Sequence, residues 1–407
     1  MMGYAEQAIQ AVYDGRRAFC KFLSANDTGL TGGHQSGIYI SKPSIPILFD
    51  TPGEKGSNKD RMVKVRWQDG LETDSRFIYY GTGTRNEYRI TNFGRGFPYL
   101  RPDFTGALFV FVQMDAEDYK GFVLNSDEEI EQFLGAFGMT PTETNRLIEI
   151  GGRPQQAQEQ QQPPQETTST EELERLAIAA FIESLTEEFP TSEVMSAAAR
   201  AIQDRVFNHK EMIITNPDQK LLDWTEAEYR LFKALEYDRY GALIKAGFTS
   251  VEEFVSVANQ VLNRRKSRAG KSLEHHLAAL FDDNGVEYTP QGVTEGNKKP
   301  DFIFPSAAAY HRDEYPIERL VTLAAKTTCK DRWRQVINEA DRLRGRDKFL
   351  CTLQQGISPA QMDEMEAEQV ILVVPRPYIA SYPADRQGRI WPLYRFIAYV
   401  RELEQAP

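Results

Sequence analysis

At 407 residues the chain is too long for one ordinary compact domain, so two or three are expected. Its 41% hydrophobic and 26% charged residues are the balance of a globular protein, and no apolar run approaches the ~20 residues of a membrane span. A net charge of −11 excludes a protein that coats nucleic acid indiscriminately, but not a specific binder whose cations are gathered in one cleft.

In chain order, apolar spacing predicts a helix over Tyr4 to Leu23. Short apolar stretches then alternate with Gly and Asn/Asp turn signals: Gly37 to Ile40, Met62 to Trp67, Phe77 to Tyr80 and Ala107 to Gln113. These read as strands of a mainly β, barrel-like module, with a second helix over Ser126 to Phe137. Arg153 to Thr170 is rich in Gln and Pro, carries almost no apolar residue and reads as a flexible tether. The expected organisation is therefore a domain over 1–152, a linker over 153–170 and a second domain over 171–407.

Beyond the tether, helical spacing returns over Glu171 to Arg205 and Glu226 to Ala246, and a helix is expected to begin near Ser272. From Gly285 the pattern turns strand-like, with strands over Asp301 to Phe304, Leu320 to Lys326, Lys348 to Leu353 and Val370 to Val374. A helix from about Asp331 to Leu343 falls between the second and third of these, so the core should be mixed α/β.

The chemistry concentrates here. A Pro-Asp pair sets Asp301 at the mouth of one strand, and Lys326 closes the next. Phosphodiester hydrolysis needs carboxylates to hold a hard cation and a group to manage the attacking water, and this is the skeleton of the PD-(D/E)XK nucleases. The acid usually found two residues before the lysine is Ala324 here, so a second carboxylate must come from elsewhere, with Glu339 as the candidate and Glu274 as a further one. Five basic residues fall in eight positions from Arg264 to Lys271, and Lys298 and Lys299 precede Asp301. A solvated charged face is the bland reading; beside the carboxylates, Arg264, Arg265, Lys298 and Lys299 are read as phosphate contacts. Lys330, Asp331 and Arg332 could read G·C pairs, since Arg bonds guanine bidentately and Asp accepts from the cytosine amino group.

Long strings carry a resemblance: NRRKSRAGKSLE (Asn263 to Glu274), TEGNKKPDFIFPSAAAYH (Thr294 to His311) and AAKTTCKDRWRQVINEAD (Ala324 to Asp341). SANDTGLTGGHQSGIY (Ser24 to Tyr39) and TRNEYRITNFGRG (Thr84 to Gly96) extend it to the front half. The chain resembles the EcoRII-type restriction endonucleases (type IIE) over nearly its whole length. The resemblance implies an N-terminal β pseudobarrel that binds an effector copy of the DNA site, linked to a C-terminal α/β restriction-endonuclease-like domain. It implies Mg2+ as cofactor, with Asp301 and Glu339 as ligands, Lys326 activating water and Glu274 as a supporting acid. It further implies Lys330, Asp331 and Arg332 as readers of the C·G pairs of CCWGG (W is A or T), cut before the outer cytosine to leave 5′-phosphates. His34, Tyr39, Arg85, Glu87 and Arg89 fall on the effector cleft by motif match. Two lysines of that cleft are Gly83 and Tyr88 here. Double-stranded DNA in target and effector copies, a homodimer through the C-terminal domain and a cognate cytosine methyltransferase are the implied partners.

Cys20, Cys329 and Cys351 are scattered and odd in number, which fits a reducing bacterial cytoplasm, and the first residues lack a secretory pattern. Cys329 reads as a packing residue, and His275 and His276 as solvent-facing. Trp224 has core packing as its default, yet stands where relatives place a group that stacks on an extruded base. A DNA-binding regulator without chemistry and a repair nuclease of the same superfamily are the rival readings. Asp301, Lys326 and Glu339 together argue against the first, and Lys330-Asp331-Arg332 against the second.

Overall fold

The computed structural model describes residues 2–30, 37–149 and 169–405. Two compact units form: Met1–Ile148 with Gly285–Pro407, and Glu149–Asn284.

The chain opens on α1 (Tyr4–Asp14), which buries Ala5, Ala8, Ala11 and Val12. The helix expected to reach Leu23 stops at Gly15, and Arg17–Phe22 is strand β1. Five of the six residues of β1 are buried, which suits a central strand covered on both faces. Then follow β2 (Ile38–Ile40), β3 (Lys59–Trp67), β4 (Glu72–Tyr80), β5 (Glu87–Thr91), β6 (Leu108–Gln113), β7 (Asp118–Leu124) and β8 (Arg146–Leu147). They form one sheet in the order β2-β5-β4-β3-β7-β6-β1-β8, antiparallel throughout except for the β3–β7 pair. Its inner face is aromatic: Trp67 stacks on Phe109, and the edge of Phe77 meets Tyr119. Each such burial is worth about 1.5–3 kcal/mol. Helix α2 (Asp127–Phe137) is capped by Ser126, whose side chain accepts from Glu129 N, and ends on left-handed Gly138.

The second unit is helical: α3 (Thr170–Ser184), α4 (Ser192–Phe207), α5 (Met212–Thr215), α6 (Pro217–Ala246) and α7 (Val251–Asp283). Ser169, Thr191, Asn216 and Ser250 cap α3, α4, α6 and α7. Ile178, Ile202, Leu231 and Leu235 interlock as its core. Most of the expected tether lies outside the described residues. The helix expected to begin near Ser272 starts at Ser250 instead, because Ser272 is buried and its hydroxyl donates to Glu228 rather than capping.

Back in the first unit, β9 (Thr289–Pro290), β10 (Phe302–Phe304), β11 (Val321–Lys326), β12 (Lys348–Thr352) and β13 (Val370–Val373) form a five-stranded mixed sheet in the order β13-β12-β11-β10-β9. The β9–β10–β11 pairs are antiparallel and the β11–β12–β13 pairs parallel. Short helices α8 (Ala307–Tyr310), α9 (Pro359–Ala367) and α10 (Arg376–Ile379) and the longer α11 (Leu393–Gln405) flank it. All four strands read from the sequence are present.

The helix expected over Asp331 to Leu343 is instead two 3-10 segments, Arg332–Asn338 and Asp341–Leu343, broken at extended Ala340. The backbone groups there are diverted: Thr294 Oγ1 donates to Glu339 O at 2.6 Å, and Asp341 N and Arg342 N donate to the Glu295 carboxylate. Among the described residues no helix is long and apolar enough to cross a membrane.

Candidate functional site

Asp301 stands just before β10, and Lys326 ends its antiparallel neighbour β11. Phe302 and Phe304 are buried and fix the strand that carries the carboxylate. Asp301 is itself only 7% exposed, and its charge is met from three directions. Oδ2 accepts from Ala325 N at 2.7 Å and Lys326 Nζ at 3.0 Å, and Oδ1 accepts from Gln291 Nε2 at 2.8 Å. Two adjacent strands thus bring together the acid and the lysine that lie 25 positions apart.

Glu339 joins them, not from inside the helix expected over Asp331 to Leu343 but as the C-cap of the first 3-10 segment. Burial pushes its carboxyl up to about 7, against the pull of Lys326 and with a contribution from Asp301. The three groups therefore share one electrostatic field. Two carboxylates in a partly dry setting, one held toward its neutral form, suit a hard divalent cation that keeps most of its water. Among the described residues no group of three or more His, Cys, Asp or Glu gathers. Glu274 belongs to the helical unit, on α7, where it faces Lys271 at 3.8 Å.

The residues expected to read bases are covered by the front sheet's helix α2. Asp127 accepts from the backbone N–H groups of Lys330, Asp331 and Arg332 at 3.0, 2.8 and 2.9 Å. The Arg332 guanidinium pairs with Glu131, and Lys330, 1% exposed, donates to Thr105 O at 2.9 Å. Burial pulls Lys330 down to about 8. A side-chain hydrogen bond to Asp127, helped by burial, pushes Asp331 up to about 6. Burial raises Asp127, but hydrogen bonds from Asp331 and the backbone outweigh it and hold Asp127 below the usual carboxylate range. Close backbone packing continues the contact: Gln354 Nε2 donates to Gly106 O at 2.8 Å, and Gly106 and Gly356 leave no room for a side chain between them.

Several expected roles are corrected. Arg264 and Arg265 are not open to phosphates in this arrangement: the first pairs with Glu188 at 3.3 Å and with the Tyr240 hydroxyl, the second with Glu236. A cluster of cations on a helix amid acidic neighbours finds them internally. Lys298 pairs with Asp341 at 3.3 Å, while Lys299 is exposed. Trp224 is core, 1% exposed, its Nε1 donating to Asp204 at 3.2 Å and its ring beneath Arg200 and Lys220. His276 is fully buried, with Nε2 3.0 Å from Glu228, and His275 is half-buried against Ser192. Burial pushes Glu228 up, but His276, Arg268 and Ser196 outweigh it and hold it at about 2. Cys329 packs in the core as expected.

In the front domain, β2 and β5 set Tyr39 opposite Arg89, and Arg89 pairs with Glu87 at 3.2 Å. Arg89 is 3% exposed and also donates to Gly37 O, so it braces the strand edge. Arg85 is exposed over the Tyr80 ring. His34 lies outside the described residues. Tyr88 packs on Tyr79 in the core, and its hydroxyl accepts from Gly53 N. At the other departure from the cleft pattern, Lys55 Nζ donates to Gly83 O at 2.9 Å. Sequence reasoning missed Lys55, Gln291, Asp127 and Glu131. The run of acids at 127–129 and Glu131 was visible, but its partner lies about two hundred residues away.

The profile described as "EcoRII C terminal" matches residues 232–397, and that described as "Restriction endonuclease EcoRII, N-terminal" matches residues 13–144. The chain is 38% identical over 413 residues to the type II restriction enzyme EcoRII of Escherichia coli, covering 93% of both chains. It is 27% identical over 117 residues to the type II restriction enzyme SsoII of Shigella sonnei, covering 27% of this chain and 37% of that one. Among solved structures, metal-depleted Ecl18kI in complex with uncleaved, modified DNA aligns at a TM-score of 0.45 and 19% identity, over 58% of this chain and 85% of that one. The PspGI–substrate DNA complex aligns at 0.42 and 18%, over 53% and 93%. With both halves matched in order and the identity spread over nearly the whole length, the chain belongs to the EcoRII family of type II restriction endonucleases, site-specific enzymes that hydrolyse DNA.

Proposed function

We propose that the chain cuts double-stranded DNA at CCWGG before the outer cytosine, with Mg2+ as cofactor, under the control of an effector copy of the site. The observation that carries the chemistry is the Asp301–Lys326 pair at 3.0 Å, with Glu339 in the same field. Asp301 and Glu339 would hold the ion, which when bound supplies charge neutralisation at the scissile phosphodiester. Lys326 turns its ammonium from Asp301 to the attacking water and orients it in line with the leaving 3′-oxygen. Glu274 is assigned the supporting acid. The product keeps its phosphate on the 5′ side.

Lys330, Asp331 and Arg332 read the C·G pairs, and Lys298 and Lys299 meet the backbone. Tyr39, Arg85 and Glu87, together with His34, take the effector copy, with Lys55 supplying the cation missing at Gly83. Asp127 and Glu131 hold the base readers until effector DNA is bound, so the front domain restrains the nuclease. A homodimer through the C-terminal domain would place one site on each strand, and a cytosine methyltransferase would protect the host's own sites. Digestion of a mapped plasmid with Mg2+, followed by sequencing of the ends, tests this reading. Discrete bands ending before the outer cytosine support it; random nicking or intact DNA overturns it.

A further inference from the structure

We propose that Gln291 is a positioning residue of the nuclease site, fixing the Asp301 carboxylate in the orientation that takes a divalent cation. The proposal rests on the reading of Asp301 as a metal ligand. Gln291 directly follows β9 and has a φ of +50°, a left-handed conformation uncommon for any residue but glycine, Asn or Asp. Such backbone persists where the surroundings over-determine it. Here they do. Gln291 N donates to Asp301 O at 3.0 Å while its side-chain Nε2 donates to Asp301 Oδ1 at 2.8 Å, so one residue grips both ends of the aspartate. The next residue, Gly292, packs so closely that a Cβ would lie 2.8 Å from Ile303 Cδ1, which pins the turn against β10.

The second tether matters because a carboxylate turns about a broad, two-fold terminal torsion. Ala325 N and Lys326 Nζ both hold Oδ2, from the β11 side alone. Gln291 holds Oδ1 from the β9 side. A carboxylate offers about four acceptor positions. Three are filled here, and when Lys326 turns to the water Gln291 keeps its place on Oδ1, so the carboxylate stays oriented for a cation. Gln291 touches neither the substrate nor the cation in this scheme; it acts through Asp301, as partners of metal ligands commonly do.

The test measures Mn2+ uptake by the full-length protein bound to a duplex with two CCWGG sites and a non-hydrolysable link at each scissile position. Free Mn2+ is read by its paramagnetic resonance signal. Asp301→Ala separates the two claims: if it still takes up Mn2+ like wild type, the metal-ligand reading falls and this proposal with it. If it does not, Gln291→Asn decides. Asn tolerates the left-handed turn but is one methylene too short to reach Oδ1. Its half-saturating Mn2+ concentration is expected to rise about tenfold, with metal-free DNA affinity unchanged. Gln291→Met, of similar length but without a donor, should show the same loss. Wild-type Mn2+ affinity in both variants overturns the proposal.

Discussion

Asp127 accepts a hydrogen bond from the backbone N–H of Asp331 at 2.8 Å, across 204 positions of sequence. The same carboxylate also takes the N–H groups of Lys330 and Arg332, and Glu131, one turn on, takes the Arg332 guanidinium. Four donors that a DNA duplex could engage are thus satisfied by two acids of a flanking helix. Charge-assisted bonds of this kind contribute roughly 1.5–3 kcal/mol each when partly buried. Breaking two of them should be visible in activity.

Asp127→Asn combined with Glu131→Gln should raise cleavage of a single-site plasmid about 10- to 100-fold, since ~1.4 kcal/mol is tenfold. The rate on a multi-site plasmid should change little if effector DNA releases the contact as proposed. Single-site rates for the full chain and the double variant check this. Equal rates would mean that the contact does not restrain the enzyme.

The contact should also tighten in acid. Asp331 is raised to about 6 beside Asp127, whereas a freed Asp331 returns to the ordinary carboxylate range near 4. A raised value in the closed form means that closure takes up a proton. Its stabilisation is complete below the ordinary value and is lost as pH rises through about 6. Lys330, Arg332 and Glu131 surround the pair, and Asp103 acts on Lys330. The ratio of single-site rates, nuclease fragment over full chain, should therefore be larger at pH 5.5 than at 7.5, and flat in Asp127→Asn. The fragment should begin no later than Ser169, whose side chain caps α3; losing that cap costs about 1 kcal/mol.

Asp301→Ala, Glu339→Ala and Lys326→Ala should each abolish cleavage while leaving specific binding by the nuclease fragment within a few-fold, because the roles proposed for the three are on the phosphate and not on base edges. Gel-shift and cleavage assays on one duplex check both halves. An Asp301→Ala enzyme with near wild-type rate would sink the assignment.

Arg332→Ala in the same fragment should lose roughly 1–3 kcal/mol of discrimination at one base pair. Lys299→Ala should weaken cognate and scrambled DNA alike and reduce the salt slope by about one. Identical behaviour of the two variants would remove the division of roles.

Trp224→Ala should cost about 3–5 kcal/mol of stability, the cost of truncating a buried aromatic, measured by denaturant unfolding. Trp224→Phe, which keeps most of the packing, should leave the fluorescence of a central adenine analogue unchanged on DNA binding. A dimmer signal would return Trp224 to the DNA.

Most strands were legible because alternation and short apolar runs record burial locally, and each strand read from the sequence is present within a few residues, whereas β1 was read as helix and β5, β7, β8 and β9 were not read. The Asp301–Lys326 pair was equally legible, since strand mouths fix where side chains emerge. The site beyond that pair was not. Glu339 was expected within a helix that does not form, and it shares the field of the pair where Thr294 and Glu295 draw off the backbone groups a helix would use. The basic run at Arg264 and Arg265 looked like a phosphate-binding surface, yet Glu188, from the α3–α4 connection, and Glu236, from α6, pair with it. His276 looked solvent-facing because the sequence around it is polar, yet the bundle buries it against Glu228; Trp224 is core, the default reading, with Asp204 as partner. Local periodicity is a property of the chain and survives in the sequence. Pairing of charges and diversion of backbone donors depend on which distant group arrives within 3 Å, and only the tertiary fold decides that.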